Sequence, residues 1–109
     1  MEPIRIETIE SLIVQLEKIS QSDPKIKKLF EKQKQFMERY QNYPSLGRKK
    51  LENVEDQFGN ALEEIRLNKR WRIVFIVKDS GRRLVWLKIC NHDELSRKNR
   101  IIVTGHNNL

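Results

Sequence analysis

The chain has 109 residues and a mass of 13.1 kDa, room for one small domain and not for two independent cores. Hydrophobic residues make up 38% and charged residues 34%, with only four Gly and three Pro, which excludes collagen-like and Pro/Gly-rich chains. The net charge of +7 is uneven: residues 1–45 carry 8 Lys and Arg against 7 Asp and Glu, whereas residues 46–109 carry 14 against 8. A basic half favours a polyanionic partner such as nucleic acid, the ribosome or an acidic protein segment, the alternative being a solvated surface kept for solubility.

No apolar run approaches the roughly 18–20 residues of a membrane span, and Met1-Glu2-Pro3 does not open a secretion signal. The single cysteine, Cys90, cannot form an internal disulfide or a cysteine-rich zinc site. A cytoplasmic protein without membrane contact is expected.

Ile4-Arg5-Ile6 alternates like a short strand. From Ile9 the period becomes helical, with Ile9, Leu12, Ile13, Leu16 and Ile19 on one face. Asp23 and Pro24 suit the cap and first position of a second helix, whose stripe runs through Ile26, Leu29, Phe30, Phe36, Met37 and Tyr40 and ends near Asn42. Pro44 to Asn60 reads as polar and irregular. Strands are expected over Glu63–Leu67, Trp71–Lys78 and Leu84–Cys90, then a short helix over Asp93–Arg100. Residues 101–109 read equally as an added strand or a frayed tail. The order β-α-α-β-β-β-α places one domain in residues 1–100, of α+β class, with a helical hairpin packed on one face of a twisted, mainly antiparallel sheet.

A three-residue loop, Asp79 to Gly81, pairs Phe75 with Val85, Ile73 with Leu87 and Trp71 with Ile89, so that one apolar face meets the helices. A shift by one residue mixes polar and apolar groups on both faces. In the odd-loop register Trp71 points to the core, and the opposite face shows Arg72 beside Lys88, Arg70 beside Cys90 and Val74 beside Trp86. Ile65 and Leu67 point to the core, so Arg66 joins that second face. Like charges set side by side cost stability, so the cluster calls for an anion, unless Glu63, Glu64 and Asp93 neutralise it locally.

Other chemistries are poorly served. His92 and His106 are too few and too far apart for a standard metal site, Cys90 lacks partners for a thiol triad, and the four glycines are isolated. No metal, cofactor or small-molecule substrate is expected.

The chain resembles the RelE/ParE toxin superfamily of toxin–antitoxin systems. The resemblance rests on Pro44-Ser45-Leu46, Lys50-Leu51, Ile65-Arg66-Leu67, Trp71-Arg72-Ile73-Val74-Phe75 and His92-Asp93-Glu94-Leu95, in that order and spacing. It implies a RelE-type, ribosome-dependent endoribonuclease that cuts mRNA without a metal, a ribose 2′-hydroxyl attacking the adjacent phosphorus. The same resemblance gives Arg66 and Arg72 the role of cations on the phosphate, and His92 that of general base or acid. Lys49, Lys50, Lys69, Arg70 and Lys88 would hold RNA phosphates, and a cognate antitoxin with an acidic, partly helical segment would cover the groove. Ser96 stands where the family commonly carries tyrosine, which leaves Trp86 as the aromatic candidate for stacking, the alternative being an ordinary, partly buried sheet residue. The rival reading is a non-catalytic module on the same fold, either a ParE-type inhibitor of DNA gyrase or a degenerate binder of nucleic acid or antitoxin.

Overall fold

The computed structural model describes residues 4–95 and 100–107. Strand β1 (Arg5–Thr8) leads into helices α1 (Glu10–Ser22) and α2 (Ile26–Arg39). Strands β2 (Lys49–Asp56), β3 (Ala61–Arg66), β4 (Trp71–Lys78) and β5 (Arg83–Asn91) follow, then a short helix α3 (His92–Leu95) and strand β6 (Arg100–Ile101). The strands make one sheet in the order β1-β5-β4-β3-β2-β6, antiparallel through the centre and parallel at both edges. The α+β class and the helical pair on one face agree with the sequence reading.

The helices pack as their periodicity requires. Leu12 and Leu16 of α1 and Ile26, Phe30 and Met37 of α2 are buried against Ile65, Ile73, Phe75, Leu84, Trp86 and Ile89 of the sheet. Ile13, expected on the buried face, is 38% exposed at its margin. The second helix starts at Ile26 with no side-chain cap, and Pro24 lies in the turn between the helices. Asp23 contributes its carbonyl there, accepting the Ile26 N–H at 3.1 Å, rather than its carboxylate.

One polar side chain joins α1 to the sheet. The register of β1 with β5 runs from Arg5↔Arg83 to Thr8↔Trp86. Beyond it the Gln15 amide continues the ladder: Nε2 donates to the Ile89 carbonyl at 3.2 Å, and Oε1 accepts the Ile89 N–H at 3.1 Å. A single glutamine thereby satisfies both backbone groups of an edge residue.

Three expectations need correction. The helix expected over Asp93–Arg100 runs His92–Leu95, residues 96–99 lie outside the described residues, and Arg100 belongs to β6. Residues 49–56, read as irregular, form β2. Its pairing with β3 runs Lys49↔Glu64 and Lys50↔Glu63, then slips before Glu55↔Ala61, with Asn53 at φ 60. The irregularity breaks the two-residue period, so the strand leaves no clean signature. The expected β4–β5 register is also wrong. The connection spans Asp79 to Arg82, with Asp79, Ser80 and Gly81 all at positive φ, and Phe75 lies opposite Trp86. A bulge between Val74 and Phe75 then shifts the pairing again, setting Val74 opposite Lys88, Ile73 opposite Ile89 and Arg72 opposite Cys90. The bulge allows both Trp86 and Ile89 to face the helices.

The second face of the sheet is apolar as well. Val54, Leu62, Val74, Ile76, Leu87 and Cys90 form a core covered by Leu95, Ile101 and Val103. The segment after Arg100, open between strand and tail in the sequence, therefore contributes a strand and part of this cover. It is tied to the β2–β3 turn by polar contacts. Gln57 makes paired amide–backbone bonds with Val103, at 2.8 and 3.1 Å. The fully buried Asp56 accepts the N–H groups of Phe58 and Asn60, the Asn60 side-chain amide, and His106 Nε2 at 2.9 Å. Phe58 stands edge-on to the His106 ring.

Burial by itself pushes the Asp56 carboxyl up, but the donors from Asn60, His106 and Phe58 outweigh it and hold its pKa below the ordinary carboxylate value. A depressed folded-state pKa stabilises the fold above about pH 4 and loses that contribution as pH falls through the folded value. Asp56→Ala is expected to cost about 2–4 kcal/mol in urea unfolding at pH 7, since it strands four donors, the buried His106 ring among them. The difference from wild type should shrink below about pH 4; an unchanged unfolding midpoint at pH 7 would show that this cluster contributes nothing.

Candidate nucleic-acid interface

The basic residues of the two central hairpin strands gather where β3 passes to β4. Asn68 builds the turn: its Oδ1 accepts the Arg70 N–H at 3.0 Å and the Trp71 N–H at 2.8 Å. The N–H groups of Leu67 and Asn68 reach the Trp71 carbonyl at 3.0 and 3.3 Å. Asn favours such turns because its short amide satisfies backbone groups two and three residues on. On the helix side, the buried Gln33 donates from Nε2 to the Arg66 carbonyl at 2.7 Å, so α2 fixes the end of β3.

Register decides which charges share a face. Arg66 lies opposite Arg72, and Arg72 opposite Cys90. The two arginines therefore occupy the second face, as alternation required. Arg66 is exposed; Arg72 is 7% exposed. The Arg72 Nη1 donates to the carbonyls of Asn68 at 2.7 Å, Trp71 at 3.2 Å and Lys69 at 3.3 Å. The sequence leads one to expect an open guanidinium here; the structure uses much of it to hold the turn. Directly opposed like charges repel, and turning one inward onto carbonyls relieves that repulsion.

His92 opens α3 and is exposed. Its backbone N–H donates to the Arg70 carbonyl at 3.0 Å, which brings it to the same turn. Lys69 and Arg70 are exposed on that turn, and the Arg70 guanidinium lies 4.8 Å from the centre of the Trp71 ring.

Lys88 lies opposite Val74, two residues along β5 from Cys90, so the expected Arg72–Lys88 pairing is replaced by Arg72–Cys90 as a consequence of the bulge. Arg70 likewise does not pair with Cys90. Glu64 completes the row through Val74 and Lys88, and it is buried with Oε1 3.3 Å from the exposed Lys49 ammonium. Lys50 falls on the helix side, opposite Glu63, which pairs with Arg48 at 2.8 Å. The structure thus brings Arg66, Lys69, Arg70, Arg72 and His92 to one turn, sets Lys49 and Lys88 one row further in, and separates Lys50 from both groups. Neutralisation of the second face by Glu63 does not occur; Glu64 does answer Lys49.

Trp86 requires correction. Expected on the second face, it is fully buried on the helix face, its ring edge-on to Phe30 with centroids 5.3 Å apart. No base can stack on it. Ser96 lies outside the described residues. Among the described residues no group of three or more His, Cys, Asp and Glu side chains converges. Asn68 and Gln33 organise the site without standing out in the sequence; Asn68, lying between two strands, is the more visible signal.

The chain has the fold of the RelE/ParE toxin superfamily. It superposes on a YoeB/ParE toxin from Agrobacterium tumefaciens with a TM-score of 0.62 at 16% identity, covering 82% of this chain and 99% of that one. An archaeal RelE–RelB complex from Pyrococcus horikoshii OT3 gives 0.59 at 21% identity, covering 83% and 96%. A copper-bound mutant toxin from Helicobacter pylori gives 0.58 at 18% identity, covering 84% and 98%. No protein-family model and no curated protein sequence matches the chain.

The contrast between the two arginines is directly measurable. Arg72→Ala should destabilise the fold by about 1–3 kcal/mol through the released turn carbonyls, whereas Arg66→Ala should change it by less than about 0.5 kcal/mol. Thermal unfolding of the two variants distinguishes them; equal losses would contradict the structural role of Arg72.

Proposed function

We propose that this protein is the toxin of a type II toxin–antitoxin system and a ribosome-dependent endoribonuclease acting on mRNA in the cytoplasm. The observation that carries the reading is the convergence of Arg66, Arg72 and His92 at one turn, on the fold of RelE-type toxins. In the reaction, the ribose 2′-oxygen attacks the adjacent phosphorus while its proton passes to a base. The bond from phosphorus to the 5′-oxygen breaks, and that oxygen takes up a proton. The products are a 2′,3′-cyclic phosphate and a 5′-hydroxyl.

We assign Arg66, exposed and permanently charged, to the phosphorane oxygens, where charge accumulates in the transition state. His92 is assigned to proton transfer with the attacking or leaving oxygen. Arg72, bonded to the turn carbonyls, positions Arg66 and adds positive potential rather than serving as the principal clamp. Lys69 and Arg70, and further in Lys49 and Lys88, would hold RNA phosphates on either side. A cognate antitoxin with an acidic, partly helical segment would cover this end of the sheet; that a structure of the same fold was solved as a RelE–RelB complex supports an antitoxin partner.

The engagement of Arg72 favours a second reading, a non-catalytic toxin that inhibits DNA gyrase by contact. Induction of the wild-type chain separates the two readings. Translation-dependent, codon-spaced ends in primer extension support the nuclease; loss of plasmid supercoiling without such ends supports the gyrase inhibitor. Under the nuclease reading, Arg66→Ala and His92→Gln should each lower cleavage by roughly a hundredfold and relieve growth arrest. Arrest that persists undiminished in both variants would exclude these roles.

A further inference from the structure

We infer that the flank of α2 turned away from α1, with the loop after it, binds single-stranded RNA. The identity of the strand rests on the RNA-directed reading above; the mode of contact rests on this surface alone. The Lys27 ammonium reaches Glu17 of α1 at 2.6 Å, which fixes the flank facing α1. At one residue per 100°, Lys25, Lys28, Lys32 and Arg39 fall with Phe36 inside about 100° of arc on the other flank, and Glu31 and Glu38 fall outside it. These four cations extend over about 21 Å of helix, the reach of a short strand rather than of one nucleotide.

The stripe ends on the half-buried Phe36 and two exposed tyrosines. Lys32 Nζ lies 5.7 Å from the centre of Phe36, and Phe36 stacks on Tyr43 at 5.1 Å with planes 2° apart. Tyr40 follows at 6.1 Å from Tyr43. Tyr40 is 60% exposed and Tyr43 41%. Backbone bonds brace their loop: the Tyr40 N–H donates to the Phe36 carbonyl at 2.7 Å, the Tyr43 N–H to that of Tyr40 at 2.8 Å, and the Leu46 N–H to that of Tyr43 at 3.0 Å, with the Leu46 side chain fully buried. The tyrosines border an open cleft of about 1010 Å³ that reaches the β4–β5 turn and has Arg39 and Arg82 on its walls beside Glu38.

Cations in a row followed by exposed, preset rings match the two halves of a single strand, phosphates and unstacked bases. A duplex hides its base faces. An acidic peptide would use the cations and leave the tyrosines without a role. The tyrosine end of this surface borders the β4–β5 turn, at the far end of β4 from Arg72 and about 20 Å along the strand. Gln33 holds the middle of α2 to the Arg66 carbonyl, so one RNA could run from the basic turn along α2 to the tyrosines.

The test is binding of a fluorescein-labelled oligouridine of about 12 nucleotides, read by anisotropy, which does not depend on cleavage. Tyr40→Ala with Tyr43→Ala should weaken binding by about fivefold or more, while the Phe pair should retain it. Lys28→Ala with Lys32→Ala should weaken binding and reduce the salt slope by about one. Matching far-UV spectra and melting midpoints show that the variants fold. Affinity unchanged in the Ala pair overturns the inference. So does tighter binding of the corresponding DNA, or an effect of the substitutions on polyglutamate binding but not on RNA. Cleavage absent while tyrosine-dependent binding persists would sink the reaction proposed above and leave this surface standing.

Discussion

Strand β4 is buried without interruption from Arg72 to Ile76, so both faces of the sheet must be covered. The helical pair covers one face; Leu95, Ile101 and Val103 cover the other. These covers differ in kind. The helices are held by large apolar side chains, with Phe30 and Trp86 at the centre, whereas the strap after Arg100 has a two-residue strand, a Gln57 clamp and the Asp56–His106 contact. Where apolar area is small, buried hydrogen bonds supply the specificity, and every partner must be present for the arrangement to be favourable. Asp56 meets that demand with four donors on one carboxylate.

The same economy of polar groups shapes the basic end of the sheet. Asn68, Gln33 and the Arg72 guanidinium all act on the backbone around the β3–β4 turn, so the exposed charges of Arg66, Lys69 and Arg70 stand on a braced frame. Electrostatic stabilisation works best when the charges need not reorganise as the reaction proceeds. The Arg72 guanidinium is thereby a brace of the turn that carries those charges.

The sequence made the helical pair, the strand face of Arg66 and the general class legible, because amphipathic periods of 3.6 and 2 survive wherever one face is solvated. It failed where that condition fails. Ile73-Val74-Phe75-Ile76-Val77 is a continuous apolar run, the mark of a strand covered on both sides, and a strict alternation fitted to it leaves one face wrongly open. The bulge at Val74 and Phe75 has no local residue signal, so the register, and with it the side occupied by Trp86, could not be counted from the turn. Strand β2 was hidden by its own irregularity around Asn53. Arg72 shows a different limit: alternation gives a side chain its face but not its partners, and carbonyls three or four residues upstream do not show in any pattern of residue types.

The two tryptophans occupy opposite surroundings. Trp86 lies in the apolar interior against Phe30, while Trp71 is half-buried at the basic turn beneath the Arg70 guanidinium. Indole emission depends on local polarity and on nearby charge, so one chain carries an internal gauge of core integrity and a separate gauge of what approaches Arg70. Any anion that draws Arg70 off its ring would register optically without a label, while the Trp86 signal stayed as the reference.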